Sequence, residues 1–499
     1  MAAQQRFRVP NRNGEVLAVP GFEAIPKLIE ENRRRLDRSD VKLWGQPLHR
    51  FRANARAEAL ALSQSPLKQV PGLPSEQLSL LVNDRLDSSP LIVSGHQPEL
   101  SHPGVWIKNF VLNGLARRVG GIPLHLIVDN DTLKSTSLHF PVFQTNDARS
   151  VHQESLPFDV YKGEVAYEDR QVLDAGLFGT FPDRAKKLWQ NWGYEPLLPR
   201  AWKNDRKIGN AFVAARLSCE REWGCQNFEV TVSRLSQTLT FGMFAQKILS
   251  DLPRFRKVYN AAIRSYRRAN RIKSQSHPAP ELSSEEAPFW ERTGPNGQRK
   301  RANAASEIEK LRPRALTLTL FARLCLADFF IHGIGGGKYD EVTNIIIRDY
   351  FGIEPPAYQV LSATLLLPLP GFPGTVESVR RTQRYLRDLQ WNPQFQIETE
   401  RTDHSIAVQL IAEKERLIRS EPPSTDHTSR REWFRSLQHV TERLRPFVKE
   451  KIAGAEESLR LAQVELEGNR VLRRRDYAWM LYPETFLRPF LQQFLNLGE

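Results

Sequence analysis

The residues best suited to chemistry in this chain lie in three short runs. The first is Ser94-Gly95-His96-Gln97-Pro98-Glu99-Leu100-Ser101-His102-Pro103-Gly104, which follows the apolar run Leu91-Ile92-Val93 and precedes a helix-periodic stretch. At the carboxyl end of a strand in an open α/β sheet, the free N–H groups and positive dipole of the next helix favour an anionic ligand. His96 is the candidate for hydrogen-bonding such an anion or moving a proton. Ser94, Gly95, Gln97 and His102 share its loop, and Lys108, one turn into the helix, adds charge. Capping by Ser101 or His102 is the plainer reading, but two histidines exceed what one cap needs.

The second run, Asp129-Asn130-Asp131, closes the next apolar stretch, where two carboxylates can orient an amine, a ribose hydroxyl or a divalent ion. A polar turn at a strand exit competes with that reading. No third ligand can be named, so no metal is assigned. The third run is Gly333 to Lys338, in which Gly336 and Gly337 allow close backbone approach and Lys338 supplies a cation. It lacks the Gly-x-x-x-x-Gly-Lys-Ser/Thr order after a strand, because an apolar helix over Ala315–Phe330 is expected before it and Tyr339 follows.

Elements must hold these runs together. Leu91-Ile92-Val93 reads as a buried strand. Val105, Ile107, Phe110, Val111, Leu115 and Val119 recur at helical spacing, with Gly120-Gly121 closing the helix, and Leu124 to Val128 reads as a second buried strand. Strand, helix and strand in about 35 residues make a βαβ unit, which implies an α/β fold with a parallel sheet covered on both faces. A further strand is expected over Tyr358–Leu367, and a hairpin around Asn296-Gly297. Past the Pro/Gly-rich stretch at Pro368–Gly374, the residues Leu437, Val440, Leu444 and Phe447, then Ile452, Ala455, Leu459, Ala462 and Leu466, follow a coiled-coil seam.

Composition narrows the class. No apolar run reaches the roughly 18 residues that a membrane helix needs, and the N-terminus lacks a secretory signal, so a cytoplasmic protein is expected. Cys219, Cys225 and Cys325 cannot form a disulfide framework or a four-cysteine zinc site. The net charge of +14 raises the question of nucleic acid. The excess is local: Asp251–Arg314 holds 15 Lys/Arg against 7 Asp/Glu, a surplus of 8. Phe255, Val258, Tyr259, Ala262, Ile263 and Tyr266 form one stripe of a helix there, and Arg264, Arg267, Arg268 and Arg271 another. A solvated basic face is the ordinary explanation, because aromatics are not interleaved as strand binding requires.

Taken in order, the Gly95-His96-Gln97 loop, Asp129-Asn130-Asp131, the His332–Glu341 glycine loop, the Leu361-Ser362-Ala363-Thr364-Leu365 segment and the heptad seam resemble the bacillithiol biosynthesis cysteine-adding enzymes. Members of that family typically carry Gly-Gln-Gln where this chain has Gly95-His96-Gln97. The resemblance implies a Rossmann-like core with an appended coiled-coil arm. It also implies a ligase that joins an amino acid such as cysteine to an amine-bearing small anionic substrate. Expected boundaries are an N-terminal segment 1–90 on the core, the core at 91–370, the arm at 375–475, and a segment 476–499 returning to the core. Within this reading His96, Asp129 and Asp131 are catalytic. Ser94, Gly95, Gln97, His102, Lys108, Gly336, Gly337 and Lys338 bind substrate, ATP is a possible co-substrate, and a homodimer through the coiled coil is possible. A nucleotide-binding or nucleotidylyltransferase-like enzyme is one rival, although His96 and His102 do not form His-x-Gly-His. A nucleic-acid-binding protein using the basic 254–301 surface is another.

Overall fold

The computed structural model describes residues 7–43, 45–64, 89–144, 149–294, 298–398 and 405–497. They form two compact units. One comprises residues up to Phe140, Ser155–Pro368 and the chain from Arg475 onward, and the other comprises Pro141–Glu154 and Leu369–Arg474.

The first unit is built on strands β1 (Val16–Val19), β2 (Leu91–His96), β3 (Ile122–Ile127), β4 (Phe228–Thr231), β5 (Glu286–Arg292), β6 (Arg299–Asn303), β7 (Leu311–Pro313), β8 (Phe329–His332) and β9 (Tyr358–Ala363). Six of them form one sheet in the order β1-β9-β8-β2-β3-β4. Neighbours from β9 to β4 run parallel. The edge strand β1 runs antiparallel to β9, with Val16 opposite Ala363 and Val19 opposite Val360. The sheet is therefore mixed, which corrects the all-parallel expectation. Four residues of β1 inside a polar, Pro/Gly-containing lead give too short a pattern to register as a strand.

A second correction concerns Ala315–Phe330. The helix stops at Phe321, a π-helical turn covers Ala322–Leu326, and Phe329–His332 is strand β8, central in the sheet. A short apolar run does not by itself distinguish a buried strand from a buried helix segment. The break falls at Asp328, whose buried carboxylate receives the Leu91 N–H at 2.8 Å, Arg52 Nη2 at 2.9 Å and Arg56 Nη2. Burial pushes that carboxyl's pKa up, but Arg56 and Arg52 outweigh it and hold it below the ordinary value. The first residue of β2 is thereby tied to the residue preceding β8, across two arginines of the Leu48–Gln64 helix.

The helix Pro103–Val119 is buried at every position from Pro103 to Ala116 except Val105, which fits its mixed apolar and small composition. Gly120, at φ 62°, closes it. Its first turn touches the sheet so closely that a Cβ on Gly104 would stand 1.9 Å from the Ala363 carbonyl oxygen. The chain end returns to the same helix: the Trp479 N–H bonds the Ser101 carbonyl, and the Trp106 and Trp479 ring centroids are 4.4 Å apart.

Strands β6, β5 and β7 form a separate antiparallel sheet, with Arg292 opposite Arg299. The Asn296-Gly297 turn expected between β5 and β6 lies outside the described residues. The basic helix spans Leu252–Ala269. Arg267 does not belong to its outer face. It is 7% exposed and bonds Gln275, His277, Ala279 and Glu281. Arg264 pairs with Glu281.

The second unit is mainly helical, with long helices at Val376–Trp391, Ser405–Arg419, His427–Leu444 and Lys449–Leu472. Its small core contains Leu389, Leu410, Val440, Leu444, Val448 and Ala455. Along the heptad seam Val440, Leu444 and Ala455 are buried, whereas Leu437, Phe447, Ile452, Leu459, Ala462 and Leu466 are half-buried. No helix among the described residues is long and apolar enough to cross a membrane.

A methyl group at Gly104 must displace either the helix or β9, and overpacking of this kind costs about 3 kcal/mol. Gly104→Ala is therefore expected to lower the urea midpoint of the first unit clearly, as read by tryptophan fluorescence. An unchanged midpoint would mean that the helix–strand approach is looser than described.

Candidate functional site

The carboxyl ends of β2, β3, β8 and β9 and the β5–β7 sheet enclose a cleft of about 790 Å³. This is where an open α/β sheet places its ligands. Gly95, His96, Gln97, His102, Lys108, Asp131 and Gly336 line it. Two short βα connections and the strand exit at Asp129–Asp131 converge there because β8, β2 and β3 are neighbours.

His96 ends β2. Its Nδ1 lies 3.1 Å from the Gln97 carbonyl, which can only accept, so Nδ1 carries the hydrogen and Nε2 keeps its lone pair. Burial, reinforced by Lys108, pushes its pKa well below the ordinary value. His96 is therefore a neutral acceptor at pH 7 and does not serve as a cationic anion-binder. His102 caps the Pro103–Val119 helix by accepting the Gly104 N–H at 3.1 Å. Burial, with Arg475 nearby, pulls its pKa down to about 4. Lys108 is 3% exposed and donates to the Gly95 carbonyl at 2.9 Å. Burial brings its pKa down to about 8, against an opposing pull from Glu99. Gln97 Nε2 donates to Asp131 Oδ2 at 2.9 Å, joining the first and second runs.

Other expected residues are placed elsewhere. Ser94 is fully buried in the sheet, its hydroxyl donating to the Ile331 carbonyl. Asp129 turns away from the cleft to accept the Ser233 N–H at 2.8 Å and the Ser233 hydroxyl. Burial raises its pKa to about 6, despite those bonds. The glycine run is the first turn of the helix Ile334–Phe351, entered directly from β8. A strand thus precedes it, where a helix was expected. Gly336 lies over His332, leaving 2.6 Å between a notional Cβ and His332 Nδ1, and Gly337 packs on Val360. Lys338 is exposed and does not line the cleft.

Three groups in the wall went unselected by sequence reasoning. His332 Nε2 is 2.7 Å from Asp340 Oδ2, which also accepts Arg323 Nη1 at 2.8 Å. Asp340 is fully buried, and the pull of Arg323 and His332 overcomes the upward push of burial on its carboxyl pKa. Arg299 and Arg314 flank Trp290, with guanidinium carbons 4.4 and 5.0 Å from the ring centroid. Arg475, from the returning chain end, donates to the Ser362 hydroxyl and the Ala363 carbonyl at 2.8 Å each. A histidine at the mouth of a glycine run was the one available signal. The arginines sat in charge-rich stretches that read as solvated.

The cleft therefore offers cations at Lys108, Arg299, Arg314 and Arg475, carboxylates at Asp131 and Asp476, and a neutral proton acceptor at His96. Among the described residues no three His, Cys, Asp or Glu side chains gather as a metal site would require.

Between about pH 8 and the ordinary lysine value of 10.5, the unfolded chain retains a proton that folded Lys108 has released. The contribution of Lys108 to stability must then rise with pH across that window, by about 3 kcal/mol for a buried amine. Lys108→Met should remove this rise. Calorimetry of both proteins at pH 7 and pH 10.5 checks it, and parallel curves would contradict the burial of the amine.

No family model matches this chain, and no curated protein matches it.

Proposed function

We propose that the protein is a carbon–nitrogen ligase resembling the bacillithiol cysteine-adding enzymes. In this reading it joins an amino acid such as cysteine to an amine-bearing small anionic substrate. The observation that carries the reading is the convergence of Gln97, Asp131, Lys108 and His96 on one cleft that also receives Arg299 and Arg475. Asp131, fixed by Gln97, orients an amine. Lys108 and Arg475 attract the anionic part of a substrate, and His96 Nε2 accepts the proton that the amine releases when the C–N bond forms. Asp129 has no part in this scheme, because Ser233 occupies its carboxylate. Amide formation from a free carboxylate breaks a C–O bond, so the departing oxygen must leave on an activating group. ATP, as a phosphoryl or adenylyl donor, is the natural co-substrate.

A cleft of about 790 Å³ also accommodates a nucleotide, which keeps the nucleotide-binding enzyme as the second reading. The nucleic-acid reading loses support from the interior position of Arg267 and the Arg264–Glu281 pair. A cytoplasmic location belongs to the same proposal. So does a coiled-coil arm that carries a homodimer, for which the half-buried Leu437, Ile452, Leu459 and Leu466 of its seam leave apolar surface.

Thermal denaturation with cysteine, glucosaminyl malate, ATP and ADP with and without magnesium, and a short oligonucleotide separates these readings. Stabilisation by the sugar malate, together with stabilisation by cysteine that Asp131→Ala abolishes, is the expected result. Stabilisation by the oligonucleotide alone would defeat the ligase reading. Sedimentation equilibrium should give a dimer that Leu459→Glu dissociates, and a monomer at every concentration would remove the dimer from the proposal.

A further inference from the structure

We infer that the corner of the cleft formed by Asn130, Asp131 and Arg299 is the subsite for the α-ammonium and α-carboxylate of a free amino acid. The inference rests on the ligase reading and decides which of its two amine-bearing substrates Asp131 holds.

The first observation is an ion pair that stays open. Arg299 Nη2 and Asp131 Oδ1 are 3.8 Å apart, and both side chains line the cleft. Charge-assisted pairs in contact normally close to about 2.7–2.9 Å. Others around the same small sheet do so: Arg312 meets Glu168 at 2.9 Å, and Arg292 meets Asp169 in two bonds. The Arg299–Asp131 gap is held open from both sides. Arg299 Nη1 is anchored on the Asn130 carbonyl at 2.8 Å, and its guanidinium rests on Trp290. Asp131 is fixed by Gln97 Nε2 and by the Thr132 N–H, each at 2.9 Å. Neither group has freedom to swing onto the other, and the carboxylate still has acceptor positions to spare.

The second observation is independent. Asn130 is 4% exposed and lines the cleft. Its Nδ2 is committed to the Pro313 carbonyl at 2.8 Å, which fixes the amide orientation. Its Oδ1 is buried and no donor among the described residues reaches it. A buried acceptor left without a donor is costly, and a ligand N–H satisfies it.

A cation, an anion and a waiting acceptor side by side match a zwitterion. An α-ammonium donates to Asp131 and to Asn130 Oδ1, while the adjoining α-carboxylate meets Arg299. Other ligand classes match less well. A simple anion leaves Asn130 Oδ1 unsatisfied and faces Asp131, a divalent cation faces Arg299 without a third ligand, and a polyol leaves the Arg299 charge uncompensated. The anionic second substrate then takes the Lys108 and Arg475 end. Lys108 holds Gly95 of β2, one strand interval or about 5 Å from β3, and Arg475 holds Ala363 of β9, three intervals or roughly 14 Å along the sheet edge.

The test is calorimetric titration of the full chain with L-alanine, L-serine and L-cysteine, without nucleotide or second substrate. The same residues carrying an N-acetyl group or a methyl ester, and inorganic phosphate, serve as comparators. At least one free amino acid should bind. Blocking either charge should weaken it about tenfold or more, as should Asp131→Asn or Arg299→Gln. Circular dichroism confirms that each variant is folded. Equal binding of the blocked forms, binding of phosphate alone, or no binding by any free amino acid up to about 10 mM overturns the inference. Amino-acid binding with no amide formed under any co-substrate condition upholds the subsite and defeats the ligase reading. Ligation unaffected by both variants does the reverse.

Discussion

The buried carboxylate of Asp328 is the point on which the rest of the core turns. It sits one residue before β8, holds the first N–H of β2, and carries two arginines from a helix some 270 positions earlier. A lone buried carboxylate would be severely destabilising, and one with two guanidiniums and a backbone donor is satisfied only in a single arrangement. That arrangement aligns β8 beside β2, with Phe329 opposite Ile92 and Ile331 opposite Ser94. Since side chains alternate between sheet faces, a slip of one residue would send His332 to the wrong face. The carboxyl ends of β2, β8 and their neighbours open onto one cleft because this register is fixed at the opposite ends of the strands.

Charge in the cleft follows from the same enclosure. Burial neutralises the imidazoles of His96 and His102 and weakens the Lys108 ammonium, while the guanidiniums stay cationic because arginine resists deprotonation. The wall thus divides its work by side-chain type, with arginines as permanent charges and histidines and lysine as proton-exchanging or neutral groups.

The sequence made some of this legible and hid the rest for identifiable reasons. The β2–helix–β3 unit was readable because a buried strand, a long apolar-periodic helix and a Gly120 stop each leave a local pattern. The meeting of Gln97 with Asp131 followed from it. Strand β8 was not readable, because its apolar residues continue those of the preceding helix and the Asp328 that interrupts them finds its partners far away in the chain. Asp129 and Asp131 are indistinguishable in sequence, and only the position of Ser233 decides which one faces the cleft. His332 acquires its orientation from Asp340, two helical turns along a face that reads simply as polar. Arg475 looked like the end of a charged helix because its contacts, Ser362 and Ala363, lie more than a hundred residues earlier.

The placement of Arg475 also bears on biosynthesis. One wall of the cleft begins at Val9, beside the segment that leads into the edge strand, and another is completed by Arg475 and Asp476. A chain emerging from the ribosome can pair β2 with β3 early, but it cannot close this cleft until Arg475 and Asp476 have been made. Assembly dominated by such distant contacts is slow relative to local helix formation. Nascent and prematurely ended chains therefore display the half-built pocket, with the Pro103–Val119 helix stripped of Trp479, to the chaperones and proteases that survey new proteins.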